Sequence, residues 1–121
     1  NAIDQIESIL SNIQSRSLRT INLKSNQIAK IPTKTFHREL ISLYSIDLSS
    51  NRINHIETNA FQAPNLQILD LTGNPLKTVE NQFLLTGSLR LFYLINHSQE
   101  LIDHCANSTA NDPLILNYIS W

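Results

Sequence analysis

The chain lacks most of what catalytic and metal-binding motifs are made from. Its 121 residues include one cysteine, two glycines and no methionine. The single thiol, Cys105, cannot close an internal disulfide, so cysteine usage fixes no redox compartment. With Gly73 and Gly87 as the only glycines, no phosphate-cradling loop, dinucleotide turn or GxSxG elbow can be assembled. No apolar run reaches the roughly 18 residues that a membrane-spanning helix needs. A formal net charge of −1 supplies no attraction for nucleic acid or acidic lipid, and no basic strip with interleaved aromatics occurs. The chain opens on Asn1, with no basic-then-apolar leader after it, so a processed chain or an excised piece is expected.

What is present is a repeat. Hydrophobic residues make up 41% and charged residues 16%, the composition of one globular domain. Leu18, Ile21, Leu23 and Asn26 recur as Leu43, Ile46, Leu48 and Asn51, then as Leu66, Leu69, Leu71 and Asn74. The pattern is LxxLxLxxN, at successive offsets of 25 and 23 residues. A fourth copy, Leu89, Phe92 and Leu94, carries His97 in place of the asparagine, and a degenerate fifth keeps Leu114 and Ile119 but puts Asn117 in an apolar slot. The second half of each unit repeats too: Ile28, Ile31 and Phe36 are echoed by Ile53, Ile56 and Phe61, then by Leu76, Val79 and Phe83. A fixed period between about 20 and 50 residues is the mark of a stacked-repeat architecture. Upstream, Ile3, Ile6 and Leu10 fit the second half of a further unit. With Ile13 they equally fit one face of an amphipathic capping helix.

Each LxxLxL alternation places Ile46 and Leu48 inward and Asp47 outward on a short strand. One such strand cannot bury its own leucines, and parallel stacking about 4.8 Å apart makes a continuous interior from many units. Asn26, Asn51 and Asn74 stand where the chain leaves the strand. There an amide with donors and an acceptor can satisfy buried turn groups, so their expected role is to hold the fold.

These motifs resemble the leucine-rich repeat family, in the animal extracellular style of Toll-like receptors, Slit and secreted immune repeat proteins. "LTGNPL" at residues 71–76 is a variant typical of that style. The resemblance covers about residues 3 to 97. It implies an α/β solenoid with four to five parallel strands on its concave face: repeats over 1–97, of which 1–17 are a partial unit or cap, then a capping segment or degenerate last repeat over 98–121. It also implies a non-catalytic recognition module for a protein or glycan partner, outside the cell or as part of a receptor ectodomain, with no cofactor.

The outward strand positions then form columns. Second positions are Arg19, Tyr44, Gln67 and Arg90; third positions are Thr20, Ser45, Ile68 and Leu91; middle positions are Asn22, Asp47, Asp70 and Tyr93. Lys24, Ser49, Thr72 and Ile95 follow the last leucine of each strand. Arg19, Lys24, Tyr44, Asp47, Gln67, Asp70, Arg90 and Tyr93 are the expected contacts, since tyrosine and arginine are favoured interface anchors. Leu91, Tyr93 and Ile95 make the fourth unit more apolar, either for a partner or for cover by residues 98–121.

Other chemistry is weaker. Asp47 and Asp70 fall on neighbouring strands, but an open face lacks the burial that splits carboxylate pKa values for acid–base work, so no catalytic residue is assigned. His97, His104 and Cys105 lack the paired spacing of a zinc site, so no metal is expected. "NHS" at Asn96 and "NST" at Asn107 are glycosylation acceptors if the chain is secreted. The cysteine-rich caps of the extracellular relatives are missing. That leaves an intracellular scaffold or regulatory subunit as the alternative, and solenoid ends open to homo-dimerisation.

Overall fold

A computed structural model describes residue 6, residues 16–76, and the strands at 78–79, 91–93 and 119–120. Two parallel sheets run through it. The front sheet comprises β1 (Thr20–Asn22), β3 (Ser45–Asp47), β5 (Ile68–Asp70), β7 (Leu91–Tyr93) and β8 (Ile119–Ser120), in that spatial order. The back sheet comprises β2 (Lys30–Ile31), β4 (His55–Ile56) and β6 (Thr78–Val79). From β1 to β7, front and back strands alternate along the chain, so each unit is one coil passing through both sheets and pairs only with the coils before and after it.

The front register follows the leucine spacing. Ile21 lies beside Ile46, Ile46 beside Leu69 and Leu69 beside Phe92. Phe92 then pairs with Ile119, which adds a fifth strand two residues out of the register expected of the degenerate fifth copy: the isoleucine, not Asn117, takes the place beside Phe92. In each of the first three strands the central residue is buried and its neighbours are half-buried or exposed, the alternation a pleated strand imposes. Pairing extends past the strands: the Leu23 N–H donates to the Asp47 carbonyl at 2.8 Å and the Leu48 N–H to the Asp70 carbonyl at 2.9 Å.

The second half of the unit forms strands too, a feature the apolar spacing alone leaves undefined. Lys30 pairs with His55 and Ile31 with Ile56. The Arg52 N–H donates to the Ile28 carbonyl and the Glu57 N–H to the Ile31 carbonyl, both at 2.9 Å. Beyond the back sheet Phe36 and Phe61 stack with centroids 5.0 Å apart and planes 5° from parallel. Among the described residues there is no helix; turns and the short back strands fill the convex side.

One interior joins all of this. Ile46, Leu48, Leu69 and Leu71 are wholly buried in the same cluster as Ile28, Ile31, Ile53, Ile56, Phe36 and Phe61. Ile6 is buried in it as well. The partners of Ile6 in the expected upstream unit or helix, Ile3, Leu10 and Ile13, lie outside the described residues.

The asparagines stitch one unit to the next. The Asn51 Nδ2 donates to the carbonyls of Leu48 (3.0 Å) and Ser49 (3.2 Å) in its own turn and of Leu23 (2.9 Å) in the preceding unit. Its Oδ1 accepts the Ile28 N–H at 3.1 Å. Asn74 repeats the arrangement one unit on, donating to Leu71 and Leu48 and accepting from the Ile53 N–H, each at 3.0 Å. Just before each asparagine the chain takes a left-handed conformation, at Ser25 (φ 60°), Ser50 (φ 56°) and Gly73 (φ 74°). That twist turns the backbone polar groups toward the asparagine amide.

Candidate functional site

The front sheet sets the second-position residues Arg19, Tyr44 and Gln67 along one exposed line, each at the entry to its strand. The Tyr44 N–H donates to the Arg19 carbonyl and the Gln67 N–H to the Tyr44 carbonyl, both at 2.9 Å, which fixes the spacing of the line. Tyr44 is 36% exposed, one of only two large hydrophobic side chains exposed among the described residues. The Arg19 guanidinium carbon lies 5.7 Å from its ring centroid. A cation on an exposed ring contributes about 0.5–1 kcal/mol, enough to bias the orientation of both side chains.

The middle column runs Asn22, Asp47, Asp70, with Asn22 in register with Asp47 and Asp47 with Asp70. All three turn one oxygen to their own backbone two residues on. Asn22 Oδ1 accepts the Lys24 N–H at 3.1 Å, Asp47 Oδ1 the Ser49 N–H at 2.9 Å, and Asp70 Oδ1 the Thr72 N–H at 2.9 Å. Asp47 Oδ1 also accepts the Ser49 hydroxyl at 2.6 Å. The half-buried aspartates are therefore parts of the turn that ends each strand, a role that their place in the column does not reveal. Each keeps a second carboxylate oxygen, on adjacent rungs of the ladder.

Lys24 is exposed, but its column is uneven. Ser49, the equivalent residue in the second unit, is 5% exposed and bound into its turn, while Thr72 is half-buried. Of the other expected contacts, Tyr93 has its backbone opposite Asp70. Arg90, the Tyr93 side chain and the sequons at Asn96 and Asn107 lie outside the described residues, as do His97, His104 and Cys105. The structure thus brings Arg19, Tyr44, Gln67, Asp47 and Asp70 onto one face, with Lys24 at its border.

Among the described residues no three His, Cys, Asp or Glu side chains group to hold a metal ion. Among the same residues no helix is long and apolar enough to cross a membrane. Guanidinium, phenol, amide and carboxylate groups stand side by side on this face at strand spacing.

Parallel coils wound around one aliphatic interior, with Asn51 and Asn74 each tying its turn to the one before, define a solenoid of repeated units. The family profile described as Leucine rich repeat matches residues 16–76 and, overlapping them, residues 41–96. The chain belongs to the leucine-rich repeat family. Such repeats generally act as non-catalytic modules for protein binding. No curated protein matches the chain.

Proposed function

We propose that this chain is a recognition module that docks a protein partner on its concave face, with the Arg19–Tyr44 pair as anchor and Gln67, Asp47, Asp70 and Lys24 as its surround. Tyr93 extends the middle column by register, and Arg90 belongs to the second column by sequence spacing. The observation that carries the reading is the Tyr44 ring, exposed in the middle of the ladder and already oriented by a cation. Buried at an interface, such aromatic and arginine side chains supply most of the binding energy. A glycan with both hydroxyl and cationic groups is the other ligand the same face would suit.

The proposed setting is extracellular, as in an innate-immune type of receptor ectodomain, supported by the two sequons and the "LTGNPL" motif. One observation favours the intracellular scaffold instead: a single cysteine, with no pair to close a cap. Association of two copies through edge strands belongs to either setting, since β1 and β8 are the two edges of the front sheet among the described residues.

A photo-crosslinking residue at position 44, compared with one at position 30 on the back sheet, tests the face. The expected result is a discrete adduct from position 44 alone, lost in Arg19→Ala and Tyr93→Ala backgrounds. Equal adducts from both positions would move the site off the concave sheet. When the chain is expressed through a secretory route, sugar mass at Asn96 or Asn107 supports the extracellular setting; a secreted chain without it supports the scaffold.

A further inference from the structure

Beside the concave columns lies the edge where the chain enters each front strand. Arg16 and Ser17, Ile41 and Ser42, and Pro64 and Asn65 form the same turn in three successive units, each separated from its strand by two residues. The strand register runs through Thr20, Ser45 and Ile68, so Arg16, Ile41 and Pro64 fall into one column as well. The Asn65 Nδ2 donates to the Ile41 carbonyl at 2.6 Å, a direct tie between two of these turns. Within its own turn the Ile41 N–H donates to the Glu39 carbonyl at 2.9 Å, and the Leu43 N–H donates to the Leu40 carbonyl at 3.3 Å. The backbone around Ile41 is therefore held on both sides of that residue.

What marks this edge is an aliphatic side chain at a turn position. Tight turns favour glycine, proline, asparagine, aspartate and serine, as at Pro64 and Asn65. Ile41 is 45% exposed and Tyr44 36%, and they are the two exposed large hydrophobic side chains among the described residues. One exposed apolar residue is ordinary on any surface, but these two stand in one unit, three residues apart, at the entry to one strand. On the coil before them Arg16 and Arg19 are both exposed, and neither joins an ion pair among the described residues, where the pair found is Lys30–Glu57. No acid stands at 16–17 or 19–20, nor at the equivalent positions of the next two units. Glu39, the acid nearest Ile41 in sequence, lines a groove on the return loops with Lys34, His37 and Arg38.

Two cations on one coil thus neighbour an aliphatic and an aromatic side chain on the next, at a strand spacing of about 4.8 Å. A protein segment with a carboxylate next to an apolar residue answers both. Laid in extended form across the coils, such a segment advances about 3.3 Å per residue, so an acid and an apolar side chain one or two residues on match that step. A basic segment meets like charge, and a purely polar one leaves Ile41 and Tyr44 in water. Two arginines on a chain of net charge −1 hold an acidic lipid surface weakly, which favours the protein segment. We propose that this edge docks an acidic, apolar segment of the partner, with Arg16 and Ile41 as contacts that the concave columns do not contain. The proposal rests on the concave-face reading for its Arg19–Tyr44 anchor and moves the centre of contact to the strand entry.

Titration of the full 15N-labelled chain with the end-blocked peptide Asp-Glu-Asp-Leu-Phe-Leu, followed at the Arg16, Ile41, Ser42 and Tyr44 amides, tests the proposal. Saturable shifts are expected, weakened about fivefold by Ile41→Ser and about threefold by Arg16→Ala. Both side chains are exposed, so either variant should keep its fold, which unmoved back-strand amides verify. Asp47→Asn should not weaken binding. If Arg19→Ala and Tyr44→Ala lower the affinity while Ile41→Ser and Arg16→Ala bind as the parent does, the strand-entry proposal is overturned and the concave-face reading stands. The proposal is also overturned if no shifts occur, if Lys-Arg-Lys-Leu-Phe-Leu or Asp-Glu-Asp-Ser-Asn-Ser reproduces them, or if phosphatidylserine vesicles broaden the same amides. The crosslink from position 44 then judges the concave-face reading by itself.

Discussion

The first and second units carry the same motif and are not equally enclosed. Ile21 and Leu23 keep 9% and 8% of their surface accessible, while Ile46 and Leu48, at the same positions 25 residues on, keep none. Asn26 is half-buried, and Asn51 is 6% exposed. Identical side chains on matching strands therefore differ through what lies beside them. In a stacked-repeat protein the interior belongs to the interfaces between units, and the second unit is flanked by the first and the third. The wholly buried Ile6 shows that residues ahead of β1 also contribute to the interior.

The sharpest way to break this comparison is through the asparagines. Asn51→Ala would remove the donors to Leu23, Leu48 and Ser49 and the acceptor for Ile28, leaving buried backbone groups of two units unpaired. With roughly 1–3 kcal/mol for each buried group left without a partner, and some relief from water, the expected loss is roughly 4 kcal/mol. Asn26→Ala, in a less enclosed turn, should cost about half of that. Urea denaturation of both variants measures the difference through the shift in midpoint. Equal losses would mean that the first turn is enclosed as fully as the second.

The apolar residues give a smaller contrast of the same kind. Leu48→Ala opens a cavity with neighbours on both sides, at an expected cost of about 3 kcal/mol, whereas Leu23→Ala acts at a partly accessible site and should cost about 2 kcal/mol. Coincident midpoints would place the enclosure in the motif itself and leave the neighbouring coils no part in the difference.

The contrast also shows why the front of the molecule was legible in the sequence and the back was not. Leucines on a strict template fix the register, so Ser45 beside Ile68 and Asp47 beside Asp70 follow from counting, and the linking role of Asn51 follows from its place at the turn. The back strands have two residues each, and the three-residue step from Ile28 to Ile31 fits a turn or a helix as well as a strand. Their pairing comes from the neighbouring coil, which no local pattern records. On the concave face the columns were readable, but the tie from Asp47 Oδ1 to Ser49 was not, because it depends on which way one oxygen turns. The strand-entry pair of Arg16 and Ile41 left no signal at all, since it joins turns 25 residues apart through side chains common on any surface.

The finest test of the comparison lies at the left-handed position before each asparagine. Two units place serine there and the third places glycine, at φ 60°, 56° and 74°. A Cβ added at Gly73 would meet Ser50 atoms at 3.5–3.6 Å, ordinary contact distances, so space does not demand glycine. The cost of Gly73→Ser is then the left-handed strain of an L-residue, about 1 kcal/mol, offset in part by the lower entropy of its unfolded chain. The reverse change, Ser50→Gly, relieves that strain and loses the same entropy term, so its effect should be smaller than about 1 kcal/mol in either direction. A loss well above about 1 kcal/mol in Gly73→Ser, measured by the same urea midpoint, would show that the third turn differs from its two predecessors. The equivalence of the coils would then end at Asn74.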